Sequence, residues 1–127
     1  MYIFGEIFRL ALKIMLYCNA YEALISTSNS ELSHILSERI SLITDSDLTK
    51  RLVKYADLKF IYDIRSKTAH GSTIKKDKKL EHYCIIADEI ARLLLWFYLE
   101  DDIFQEIIDT NDTEKINNYF LNLILKG

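Results

Sequence analysis

Residues 62–72 read YDIRSKTAHGS, and what happens at their end decides how the whole chain is read. Upstream, Leu48, Leu52, Ala56, Phe60 and Ile64 recur at four-residue steps, so a helix runs into this stretch. Gly71 can take the left-handed conformation that closes a helix. A cap asks for nothing more, yet Arg65, Lys67 and His70 crowd the final turns. A cation near a helix C-terminus is favoured in any protein, which is one reading of His70. The other is a working pair. Arg65 and His70 lie five residues apart, about 140° around a regular helix. If the last turn unwinds at Gly71, the imidazole can swing to the side that Arg65 faces. Tyr62, Ser66 and His70 share one helical line, so the two hydroxyls can orient that ring.

Working outward, the same helical period covers nearly the whole chain. Ile3, Ile7, Leu10, Ile14, Tyr17, Tyr21 and Leu24 form one row of a first helix. Phe4, Phe8, Ala11, Met15, Cys18 and Ile25 form a second row, which Glu22 interrupts. That places a carboxylate toward the interior, where it needs a partner; Arg65 is one candidate. STSNSE (26–31) breaks the helix, with Asn29 or Ser30 capping a second that turns Leu32, Ile35, Leu36, Ile40 and Ile43 inward. TDSD (44–47) is the next break, with Ser46 as the expected cap of the third helix. STIKKDKK reads as a basic loop. A fourth helix from Leu80 to Glu100 carries Tyr83, Ala87, Ile90, Leu94 and Phe97, and its apolar end predicts a central position. A short segment (102–108) then leads to Asn111 and Glu114, at capping-box spacing. The last helix buries Ile116, Phe120, Leu123 and Ile124. The expected architecture is all-α: one domain over residues 1–127, a compact bundle of about five helices.

Composition agrees with that reading. The chain has no proline and three glycines in 127 residues, so the main helix breakers are nearly absent. Its net charge of −3 is not that of a strongly basic nucleic-acid binder. Six basic residues against one acid between Arg65 and Lys79 make that segment +5, however, and leave −8 for the rest. Such a patch can draw in a polyanion. As plain alternatives, Lys75, Lys76, Lys78 and Lys79 are a solvated loop, and His34 and His82 are surface or packing residues. Cys18 and Cys84 have no neighbour at metal-ligand spacing and read as reduced, buried thiols. Asp101, Asp102 and Asp109 read as solvated charge, so no metal and no cofactor are expected. The opening stretch carries Glu6, Arg9, Lys13 and Glu22, and LLLWFYL (93–99) is too short to span a bilayer, so a soluble cytoplasmic protein without membrane contact is expected.

YDIRSKTAHG also resembles the Arg-x4-His signature of HEPN domains, in particular the Apea-like branch, whose motif runs arginine, serine, lysine, two variable residues, histidine, glycine. AYEALISTSNSELSHILSERISLIT (20–44) is similar to that branch's glutamate-bearing helix, polar turn and arginine-bearing helix. The resemblance spans roughly residues 10 to 100. It implies a metal-independent endoribonuclease that forms a two-fold homodimer, often in toxin–antitoxin or antiviral systems, with an antitoxin or defence protein as a further partner. Arg65 and His70 match the catalytic positions, with Glu22, Arg39, Ser66 and Lys67 in support.

The chemistry suits these side chains. RNA carries its own nucleophile, the 2′-hydroxyl, so cleavage needs proton transfer and a cation on the phosphorane. His70 carries an imidazole, a group that can act as base or acid, and Arg65 can grip two phosphate oxygens. One histidine cannot stand on both sides of an in-line displacement, but a two-fold dimer supplies a second. Lys75, Lys76, Lys78 and Lys79 would then guide the RNA backbone. Ser66 stands where many active HEPN nucleases carry Asn, Asp or His. A catalytically silent HEPN module for dimerisation, RNA binding or partner binding is therefore the alternative expectation.

Overall fold

The computed structural model describes residues 2–25, 32–70 and 78–126. They form six helices: α1 (Tyr2–Ile25), α2 (Leu32–Thr44), α3 (Leu48–Ala69), α4 (Lys78–Glu100), α5 (Asp102–Asp109) and α6 (Thr113–Lys126). The bundle is all-helical as expected, with the short segment after α4 forming a helix of its own. One core joins Ile14, Cys18 and Tyr21 of α1, Leu36 and Ile40 of α2, Leu58 and Ile61 of α3, Ala87, Ile90 and Leu94 of α4, Phe104 of α5 and Phe120 of α6.

Polar contacts register the helices against one another. The Tyr17 hydroxyl donates to Asp88 Oδ1 at 2.8 Å and the Tyr21 hydroxyl to the Ala87 carbonyl at 2.5 Å, tying α1 to α4. Asp88 also meets Arg92 Nε at 2.8 Å, and these two donors hold its carboxyl below the usual carboxylate range. Helices α2 and α3 run antiparallel. Lys59 Nζ donates to Ser33 Oγ at 3.1 Å near one end, and Arg51 Nε to the Asp45 carbonyl at 2.6 Å near the other.

Several expectations need correcting. The row Leu48, Leu52, Ala56, Phe60 is not the buried face of α3; Leu48 is 69% and Leu52 60% exposed, whereas Leu58, Ile61, Tyr62 and Ile64 are buried. Two apolar rows compete on this helix, and the one that faces α1 and α2 wins. The cap of α3 is Asp47, not Ser46: its Oδ2 accepts from the Lys50 N–H at 3.1 Å. A carboxylate there also opposes the positive helix end. Before α6, Asn111 takes a left-handed φ of 52° and Asp112 does the capping, its Oδ1 accepting from the N–H groups of Glu114 (3.0 Å) and Lys115 (3.3 Å). The end of α4 is less enclosed than expected, since Leu95, Trp96 and Leu99 are exposed. Phe8 and Ile124 are exposed too. The expected caps Asn29 and Ser30 lie outside the described residues.

Candidate functional site

The last two turns of α1 pass the C-terminal half of α3, and the contact between them is polar at its rim. Asn19 and Glu22, three residues apart, share one face of α1. Arg65 reaches across from α3, its Nη2 lying 3.3 Å from Glu22 Oε2 and 3.4 Å from Asn19 Oδ1. The Glu22 side chain is 19% and the Arg65 side chain 30% exposed, so the pair is half-sunk in the seam. Glu22 Oε2 and Arg65 Nε are themselves buried and make no hydrogen bond among the described residues. Charge, rather than well-aligned hydrogen bonding, holds the two together.

Beneath the pair the seam is buried. The Tyr62 hydroxyl donates to the Cys18 carbonyl at 3.4 Å. Burial pushes the Cys18 thiol up to about 12, with the Glu22 charge adding and Arg65 opposing. Burial also raises the Tyr62 phenol, helped by Cys18 and Glu22. Both groups are therefore neutral and are part of the wall that sets the guanidinium at the surface.

The expected unwinding before Gly71 is not seen. Helix α3 stays regular through Ala69, and His70 serves as its C-cap at φ −90° and ψ 4°, its N–H donating to the Ser66 carbonyl at 3.0 Å. The two residues therefore keep the spacing of a regular helix, with His70 about 140° around the axis from Arg65. His70 and Ser66 are exposed. The Tyr62 hydroxyl is spent on the Cys18 carbonyl, so it does not orient the imidazole. Lys67 pairs with Asp63 one turn back at 3.1 Å, on the solvent side. Gly71, Lys75 and Lys76 lie outside the described residues; Lys78 opens α4, and Lys79 is exposed beside it.

Arg39 stands apart from this site. It is buried, donating to the Ile25 carbonyl (3.3 Å) and to Asn117 Oδ1 (2.5 Å), with its guanidinium 4.8 Å from the centre of the Phe120 ring. Burial holds its pKa down. Its visible work is to staple α6 to α1 and α2. Two groupings escaped the sequence reading. Asn19 is a second acceptor for Arg65, and its spacing from Glu22 was the available signal. The His34 Nδ1 lies 2.6 Å from the Tyr55 hydroxyl across the α2–α3 seam, a pairing that no local pattern announces.

Among the described residues, no three His, Cys, Asp or Glu side chains gather as metal ligands. Asp101 caps α5, accepting from the Phe104 N–H at 2.9 Å, and Asp109 accepts from the Tyr98 hydroxyl. No described helix is long and apolar enough to cross a membrane. No protein-family model, curated protein or solved structure matches the chain.

Proposed function

We propose that the chain is a HEPN-like endoribonuclease module acting on single-stranded RNA without a metal, with its site completed by a second copy. The observation that carries this reading is the Glu22–Arg65 pair: a carboxylate inside the seam holds a guanidinium where it stays partly open to solvent. The RSKTAHG resemblance and the all-helical bundle stand behind it. Because Arg65 and His70 diverge around α3, the site would be a shared cleft on the two-fold axis, where Arg65 of one copy and the His70 imidazoles of both copies reach one phosphate. The 2′-oxygen attacks phosphorus as one imidazole takes its proton. The bond from phosphorus to the 5′-oxygen breaks, and the second imidazole, protonated, gives that oxygen its proton. A cyclic phosphate and a free 5′-hydroxyl result. Arg65 stabilises the charge that builds on the phosphorane. Lys79 and its neighbours in the basic segment would guide the strand, and an antitoxin or defence protein would restrain the enzyme.

A second reading is favoured by the regular end of α3, which sets His70 about 140° around the helix axis from Arg65. In it the chain is a silent module that binds RNA or a partner protein. Labelled single-stranded RNA incubated with the protein in EDTA separates the two. The nuclease reading expects cyclic-phosphate ends and a loss of about 10²–10⁴-fold in rate for His70→Ala and Arg65→Ala with helicity unchanged. No cleavage across a broad RNA panel favours the silent module, and cleavage indifferent to both substitutions overturns the assignment of the reaction to Arg65 and His70.

A further inference from the structure

Helices α5 and α6 meet over Phe104 and leave a cleft of about 510 Å³ between them. Its floor is apolar, made by Ile103 and Ile107 from α5 and by Tyr119 and Leu123 from α6. Ile103 is 67% exposed, so this apolar strip is open to water. The α6 side carries Lys115 and Lys126, which line the cleft from one end of the helix to the other. They are about 17 Å apart along the helix axis. The α5 side has the opposite sign. Asp102, Glu106 and Asp109 stand exposed at steps of four and three along its outer edge. Among the described residues, Lys115, Lys126, Asp102 and Glu106 form no ion pair within the chain.

A basic edge, an apolar strip and an acidic edge laid side by side are complementary to themselves under one operation. A two-fold axis running along the cleft sets each basic edge over the other copy's acidic edge and closes apolar strip on apolar strip. An axis across the cleft would oppose like charges. Other occupants answer half of the surface at best. An acidic helix or an anionic lipid would satisfy the lysines while its charge is repelled by the α5 carboxylates, and a basic partner would meet the reverse. A second copy of this chain brings both edges.

We propose that the α5–α6 face is a self-association surface in which α5 of one copy lies against α6 of another about a two-fold axis along the cleft. This is separate from the nuclease reading, since Arg65 and Glu22 contact none of these residues. The test is sedimentation velocity on the whole chain across a range of concentrations and salt. Self-association that weakens about tenfold or more in Lys115→Glu and in Glu106→Lys, and returns in the double variant, is the expected result. All the substituted side chains are exposed, and far-ultraviolet circular dichroism checks that each variant keeps its helices. A second measurement leaves the native charges in place. Ile103→Cys lies between the two edges, and Cys18 and Cys84 are both buried, so mild oxidation should link two copies through the new thiol. A wild-type chain that stays monomeric, a dimer that neither charge reversal weakens, or native mass spectrometry finding the cleft filled by a co-purified lipid would each overturn the proposal. A dimer sensitive to Arg65→Ala and indifferent to Lys115→Glu would do so while leaving the nuclease reading standing.

Discussion

At the α1–α3 seam a guanidinium meets a carboxylate of its own chain, whereas at the α5–α6 edge lysines and carboxylates stand apart on either side of an apolar strip. The two arrangements serve different ends. Internal pairing fixes a long side chain in one place, which suits a group that must be positioned for work. Rim charges left to water cost little, and their pattern stays free to match another surface. Tyr62 and Cys18 are buried beneath the seam, so its charges sit in a poorer dielectric than those of the edge. Strength per contact should therefore belong to the seam, and recognition to the edge.

The largest expected effect tests whether the edge has a rigid base. Phe104 is fully buried and packs against the rings of Phe97, Tyr119 and Phe120. Phe104→Ala should cost about 3–5 kcal/mol in urea unfolding. A cost below about 1.5 kcal/mol would mean that α5 is loosely held and that the edge is no defined surface.

A smaller effect probes the dryness of the seam. The Cys18 thiol is raised from 9.0 to about 12, so its contribution to stability is complete below about pH 9 and is lost as the pH climbs from there toward 12. Unfolding measured at about pH 10 should show a loss of about 1 kcal/mol relative to neutral pH that is absent in Cys18→Ala. A profile unaltered by that substitution would mean water reaches the thiol, and the contrast with the edge would fade.

The smallest effect bears on the pair itself. Glu22→Gln, Arg65→Gln and the double variant form a cycle whose coupling should be about 0.5 kcal/mol, discounted for the partial exposure of both side chains. Coupling indistinguishable from zero would make Glu22 and Arg65 as solvated as the rim charges of α5 and α6.

Much of the fold could be read from local pattern. The inward row of α4 through Ala87, Ile90 and Leu94 is buried as its spacing required, and so are Ile14 and Tyr21 on α1. Glu22 was legible as an inward carboxylate because it broke an apolar row, and Arg65 was named beforehand as a possible partner. The buried row of α3 was not legible. Leu48, Leu52 and Phe60 make as regular a stripe as Leu58, Ile61 and Tyr62, and nothing within the helix ranks one above the other. The cap positions were missed by one residue, because Ser46 and Asp47, or Asn111 and Asp112, offer the same chemistry in adjacent places. The cleft has no counterpart in any single segment, since its two walls come from different helices.

The sequence alone thus determined that the chain is helical, roughly where the helices break, and that a carboxylate must enter the seam. Those properties depend on neighbours a few residues away: a lack of proline, an unbroken apolar period and polar turns. Tertiary structure decided which stripe of α3 is buried, that Arg39 joins Ile25 to Asn117, and that Arg65 is gripped from α1 while His70 is left on another bearing. Such choices turn on which helix surfaces meet across tens of residues, and burial is won only when two faces close on each other. No single helix carries that information.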